Sequence, residues 1–305
     1  MEETEEITVG NYCFLIKNNT YSYDGYIISR NFNIGGFNTD CVNVSIIYKN
    51  NEPIYANIPH LMHDPECSID IPLDKGKGTI IMIKTLLEYI HNKIPSIKEF
   101  EFEDKSRIES ASQEELERKK SKNMKKGTNL IPIPLYYFSI AFNGITWYEK
   151  QFNARLKDPI KHNLYREKVK ELLYSGELKQ KTTFIEFLQI SRPPSIYIIN
   201  ELEPYYDNSN TFNDFFQSIP SKDRIRLVRD WIENFMLYYL KEVFSNKGWI
   251  IEIPVIKINT DPINQDEKKG GKKSKRRTKK YYCPNERINL NPKIYNRLSL
   301  SLEDI

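Results

Sequence analysis

Residues 42–58, VNVSIIYKNNEPIYANI, alternate apolar and polar side chains on both sides of Asn50-Asn51. A two-residue polar turn between two period-2 runs is a strong local signal for a β-hairpin, because it sets pairing and register together. Two earlier runs, NYCFLIK and GYIISRNF, are of the same kind. The first seventy residues are therefore expected to form antiparallel strands. CSIDIPL continues the alternation, with Cys67, Ile69, Ile71 and Leu73 on one face.

At Gly76-Lys77-Gly78 the period changes. The helix expected from about Thr79 places Ile80, Ile83, Leu87 and Ile90 on one face, and Ile81, Met82 and Leu86 widen it. An apolar surface of that width is buried on more than one side. After the turn KIPS, the run IKEFEFED points Phe100 and Phe102 one way and Glu99, Glu101 and Glu103 the other. Strands, a glycine turn, a buried helix and another strand make an α/β arrangement of the α+β kind, with a mixed, mostly antiparallel sheet.

The rest reads as helical. Residues 106–129 are charged and apolar-poor, either a surface helix or a mobile loop. YYFSIAFNGITWYEKQFNARL reads as one buried helix. SKDRIRLVRDWIENFMLYYLKEVFSNKG reads as the strongest helix, with Ser221 as N-cap and Gly248 as stop. WIIEIPVIKI is expected to be a closing strand that returns to the first sheet. The boundaries expected are an α/β domain over 1–155, a helical region with the closing strand over 156–259, and a basic, disordered tail over 260–305.

Charge supports that tail. Residues 268–280 hold nine Lys or Arg and no acid; removing them from the net +4 leaves −5 for the remainder. A uniformly basic nucleic-acid surface is not expected, and basic character is concentrated in one segment. Lys272, Lys273, Lys275, Arg276 and Arg277 are the candidate nucleic-acid contacts there. Nuclear import, contact with an anionic surface and simple solubilisation fit the run as well. No apolar run approaches the ~18 residues of a membrane span. The four cysteines (Cys13, Cys41, Cys67, Cys283) include no CxxC pair. With an acidic, polar N-terminus, they are expected to be reduced in an intracellular protein, cytoplasmic or nuclear.

The turn Lys75-Gly76-Lys77-Gly78-Thr79 admits two readings. Backbone N–H groups at a helix start attract anions, and glycine lets a phosphate approach the main chain; the alternative is a tight turn entering a helix. GxxxxGK[ST] is absent and Ile81 breaks the dinucleotide fingerprint, so neither nucleotide motif applies. His60, His63, Asp64 and Cys67 are zinc-competent, but no second ligand cluster stands nearby, and no metal is expected.

LDKGKG with its apolar helix, the strand ending in EDKS, and GITWYEKQF together resemble the acyl-CoA-binding half of the GNAT N-acetyltransferase superfamily, over about residues 40–155. In that family an R/Q-x-x-G-x-G/A loop holds the CoA pyrophosphate, and a helix with a pattern like LYEKLGF carries a Tyr that protonates the departing thiolate. The resemblance implies that Lys75, Gly76, Lys77, Gly78 and Thr79 bind acetyl-CoA. It makes Tyr148 the general acid; Asp70, Glu101 and Glu103, on the strands expected to flank the turn, are the candidate bases that would free an amine for attack. Leu73 stands where the family prefers Arg or Gln, WYEKQF lacks the glycine before its Phe, and Asp104-Lys105-Ser106 replaces the usual Asn. The Asn/Ile/Lys/Tyr-rich composition and the basic tail are also similar to proteins of giant DNA viruses, where the location would be a host cell or virion. The function expected is acetyl transfer from acetyl-CoA to an amine. The alternative is a non-catalytic nucleic-acid-binding or structural protein that uses residues 268–280.

Overall fold

A computed structural model describes residues 2–110, 131–193 and 195–253. Those residues fall into two compact units, one of residues 2–100 with 252–253 and one of residues 101–251.

The first unit is built on a meander. Strands β1 (Glu2–Val9), β2 (Tyr12–Tyr23), β3 (Tyr26–Gly35), β4 (Asp40–Lys49) and β5 (Glu52–Leu61) lie side by side in chain order, each antiparallel to the next. Asn50 and Asn51 have φ of 53° and 64°, and Asp24-Gly25 has 50° and 77°. Positive φ at both central residues gives a turn whose twist matches that of its strands, and Asn, Asp and Gly tolerate it best. Alternation then sorts the faces. Phe14, Ile16, Phe32, Ile34, Val42, Val44 and Ile46 are buried, while Asn43 and Ser45 between them are partly open.

Helix α1 (Lys77–Lys93) packs on β2 and β3 and buries Ile81, Met82, Ile83, Leu86, Leu87 and Ile90, with Ile80 at the rim. Each such side chain contributes about 1.5–3 kcal/mol relative to exposure. The next strand, β6 (Glu99–Phe102), follows β5 in the spatial order and buries Phe100.

Between β5 and α1 the expected strand over 67–73 does not form. Pro65–Cys67 make a 3-10 turn capped by Asp64, and bends follow to Lys75. Ile71 is 40% exposed, so the alternation of Cys67, Ile69, Ile71 and Leu73 does not mark one buried face. Pro65 and Pro72 lack the N–H that a ladder would need. The reduced state expected for the cysteines is also corrected, because Cys41 and Cys67 form a disulfide. Cys13 is fully buried in β2.

The second unit is mostly helical. Strands β7 (Arg107–Ser110) and β8 (Ile131–Pro134) pair antiparallel, so the stretch read as surface helix or loop begins as a strand; residues 111–130 lie outside the described residues. The single helix expected over 136–156 is two, α2 (Leu135–Asn143) and α3 (Trp147–Phe152). Gly144, at φ 70°, ends the first. Thr146 starts the second in a reciprocal cap: Glu149 N donates to Thr146 Oγ1 at 3.2 Å, and Thr146 N donates to Glu149 Oε2 at 2.8 Å.

Helices α4 (Pro159–Tyr174), α5 (Gly176–Lys181), α6 (Phe184–Ser191), α7 (Ile196–Asp207), α8 (Phe212–Ser218), α9 (Arg224–Val228) and α10 (Ile232–Leu240) complete the unit. Phe187, Phe212, Phe215, Phe216, Trp231 and Phe235 are fully buried, with Phe187 edge-on to Trp231 at 5.1 Å. The long helix expected over 221–248 is interrupted before Ile232, where the Trp231 indole N–H donates to Leu227 O at 2.6 Å. A side-chain donor thus satisfies a carbonyl that the interruption would otherwise strand. Ser221 opens a 3-10 turn without a side-chain cap.

Strand β10 (Trp249–Glu252) follows Gly248 and lies between β6 and β9 (Arg155–Leu156). Asp104 N donates to Asn246 O at 2.6 Å, and Trp249 pairs antiparallel with Leu156. At the other end of β10, Ile253 N donates to Lys98 O at 2.8 Å. The architecture is mixed α/β with a mostly antiparallel sheet. Residues 254–305, with Cys283 and the basic run, lie outside the described residues.

Candidate functional site

The turn at 75–79 sits at the start of α1 in the first unit. Gly76 is the N-cap with φ 80° and ψ −88°, a conformation that favours glycine, and no side chain caps the helix. A Cβ at Gly76 would meet nothing within 4 Å. Lys75 and Lys77 are exposed or nearly so, and the first turn holds no acid. Gly78 behaves differently. A Cβ there would approach Leu73 Cδ1 at 2.9 Å and Tyr12 Oη at 3.3 Å, so this glycine admits the inward neighbours of the helix.

Two polar contacts lie at the turn. Tyr12 Oη donates to Asp74 Oδ2 at 2.7 Å; burial first, and then the Asp74 carboxylate, push the phenol up to about 12. His63 Nδ1 lies 3.0 Å from Thr79 Oγ1. Burial and then the positive charge of Lys75 hold the imidazole below its usual range, against the smaller opposing pull of Asp64 and Asp74. Thr79 is buried with its hydroxyl engaged. Asp70 lies apart, exposed on the bend before the turn.

The other predicted site residues belong to the second unit. Tyr148 on α3 is 6% exposed, with its ring 4.5 Å from Phe102 and 4.9 Å from Trp147. Burial and then the charge of Asp104 raise its phenol well above the usual range, which keeps it protonated. Glu101 pairs with Lys157 at 2.8 Å. Glu103 pairs with Lys105 at 3.0 Å and accepts a long bond from Asn246 Nδ2 at 3.5 Å.

Asp104 is a buried acid that the sequence reading did not single out. It is 1% exposed, and Oδ1 accepts bonds from Ser106 N at 3.0 Å and from Ser106 Oγ. Burial outweighs those two bonds and raises the carboxyl to about 6. The signal was present: the alternation that turns Glu99, Glu101 and Glu103 outward turns Phe100, Phe102 and Asp104 inward. Both Asp104 and Tyr148 are buried, and the Asp104 charge adds to the rise of the phenol.

A second titratable group in this unit has a checkable state. His162 Nδ1 accepts from Leu156 N at 3.3 Å, and burial lowers the imidazole below its ordinary 6.5. The folded protein thus binds fewer protons here than the unfolded chain. This contribution to stability is complete above pH ~6.5 and is lost as pH falls through the lower folded value. Imidazole NMR signals of His162 are expected to titrate below 6.5; a midpoint at or above that value contradicts the dominance of burial at this site.

A cleft of about 20 Å³ opens between Leu135, Phe138, Ser139, Trp147 and Lys150. It has room for water and not for a cofactor. Among the described residues, no group of three or more His, Cys, Asp or Glu is placed to hold a metal ion, and no helix is long and apolar enough to cross a membrane. The candidate nucleic-acid contacts Lys272, Lys273, Lys275, Arg276 and Arg277 lie outside the described residues. No protein-family model, no curated protein and no solved structure matches this chain.

Proposed function

We propose that the protein is an acyl-CoA-dependent N-acyltransferase that moves an acetyl group from acetyl-CoA to an amine. The observation that carries this reading is the start of α1: an uncapped helix N-terminus behind an unobstructed glycine, flanked by two lysines and free of first-turn acids. Unclaimed N–H groups and the positive end of the helix dipole favour a pyrophosphate there.

In the reaction, the amine nitrogen bonds to the thioester carbon and the carbon–sulfur bond breaks. The ammonium proton passes to a carboxylate, and the departing thiolate takes a proton from a general acid, the role that the GNAT resemblance implies for Tyr148. Asp104, raised to about 6, is ionised above neutrality yet basic enough to take part. Asp70 and Glu103 are the more solvated candidates for that role.

Thermal unfolding with and without millimolar acetyl-CoA tests it. Ligand at a hundred times its Kd stabilises the folded state by about 2.7 kcal/mol, a shift of several degrees. Reversing Lys75 and Lys77 to Glu is expected to remove the shift without unfolding the protein, since neither side chain is buried. A folded protein that shows no shift ends the enzyme reading.

A second reading rests on the nine cations of residues 268–280: a non-catalytic protein that holds nucleic acid. Its mark would be affinity for unrelated nucleic acids that falls steeply with salt and vanishes when the run is deleted.

A further inference from the structure

The crossover from β5 to α1, residues 62–76, is lightly secured. Its one regular element is the 3-10 turn Pro65–Cys67. Pro65, Glu66, Asp70, Ile71, Pro72, Asp74 and Lys75 are exposed, and only Cys67, Ser68 and Leu73 are buried. Few noncovalent bonds tie it to the strands. Met62 N donates to Cys41 O and Ile69 N to Cys13 O, both at 2.8 Å, and Ser68 Oγ donates to Cys13 O at 3.2 Å. Tyr12 reaches Asp74. A covalent tie adds to these, the disulfide from Cys67 to Cys41 at the start of β4.

The crossover also supports the helix that follows it. Leu73 lies against Gly78, and His63 meets Thr79, both in the first turn of α1. We propose that the Cys41–Cys67 disulfide is a redox latch on this crossover. Oxidised, it holds residues 62–76 and the first turn of α1 in place; reduced, it releases them while the meander stays formed.

Two features favour local release over collapse of the unit. The ladders of β2, β3 and β4 are main-chain bonds, and the core of Phe14, Ile16, Phe32, Ile34, Val42 and Val44 is apolar packing within the meander. The crossover has few buried apolar contacts, which places it at the low end of local stability. Both cysteines are 0% exposed, so a reductant reaches them only when the crossover lifts. Opening and reduction are then coupled, and each promotes the other.

The chemistry balances with a dithiol as reductant. One thiolate attacks a sulfur of the pair and forms a mixed disulfide, releasing the other cysteine as thiolate. The second thiolate of the reductant displaces the remaining cysteine and closes a cyclic disulfide. Two electrons enter the protein, and two protons end on Cys41 and Cys67. The latch does not require acyl transfer, so its failure and that of the enzyme reading are separable: one is read without acetyl-CoA, the other in oxidised protein.

Hydrogen exchange of the full chain, before and after dithiothreitol in native buffer, decides the matter. Amides of residues 62–79 are expected to exchange about tenfold faster after reduction, with β2 to β4 unchanged and protection restored on reoxidation. Cys67→Ser should reproduce the reduced pattern permanently; where it fails to fold, the reduced parent gives the answer. Unchanged exchange over 62–79, loss of protection throughout β2 to β4, or a disulfide that survives native dithiothreitol would each overturn the proposal.

Discussion

Asp104→Asn is expected to make the protein more stable than its parent at pH 8 by about 3 kcal/mol, and about equally stable at pH 4. The carboxyl stands at about 6 in the folded chain, against its ordinary 3.8. Each tenfold change in acidity between the unfolded and folded chain corresponds to about 1.4 kcal/mol. Because the folded value is raised, the folded chain binds more protons than the unfolded chain between pH ~4 and ~6. The parent therefore loses stability as pH rises through that window, and the asparagine variant does not. Asparagine keeps an oxygen for the two donors of Ser106 and removes the buried charge. Urea unfolding at several pH values reads the difference directly, and parallel profiles for parent and variant would refute the assignment. His162 works in the opposite direction over a neighbouring range, so the variant-minus-parent difference carries the result rather than either profile alone. A cost kept at a buried position invites a functional explanation. The same variant should lose acetyl transfer while gaining stability if Asp104 is the base.

Much of the fold was legible where local chemistry and long-range packing agree. Asn50-Asn51 set a hairpin turn, and the Glu/Phe alternation of residues 99–103 faithfully reports a strand with one buried face. The pattern misled where it met a distant demand. Cys67 to Leu73 alternate like a strand, yet no ladder partner receives them; a disulfide to a residue 26 positions earlier and main-chain bonds to other segments hold the stretch instead. Nothing in the spacing of Cys41 and Cys67 announces that pairing, because the hairpin of β4 and β5 intervenes. A single helix over 136–156 runs through Gly144 and Thr146, whose terminator and cap signals were visible but were outweighed by a continuous apolar run. At the turn, Gly76 and Gly78 look equivalent in sequence. Only the packed structure separates a residue needed for its φ from one needed for the closeness of Leu73 and Tyr12. Asp104 belongs to the same class. Its parity with Phe100 and Phe102 was readable, but the burial that sets its acidity is tertiary.

Gly36→Ala is expected to cost the protein on the order of 4 kcal/mol, at the upper end of what single substitutions do. A Cβ at Gly36 would stand 2.0 Å from Glu66 O, a main-chain atom of the 3-10 turn that lies across this end of the meander. Main chain cannot rotate aside as a side chain does, so either the crossover lifts or β3 moves. Gly78→Ala makes an informative contrast. Its contacts at 2.9 and 3.3 Å are the side chains of Leu73 and Tyr12, which can shift, and overpacking of that kind costs about 1–3 kcal/mol. Urea midpoints for the two variants, measured oxidised, should rank Gly36→Ala well below Gly78→Ala; the reverse order would mean that the crossover is not seated on Gly36. The redox state sharpens the comparison. With the disulfide closed, the crossover cannot drift far from Cys41, and the clash must be absorbed near the strands. With it reduced, residues 62–76 can lift away and relieve the contact. Reduction should therefore narrow the gap between Gly36→Ala and its parent, whereas a seat that owed nothing to the disulfide would leave the gap unchanged.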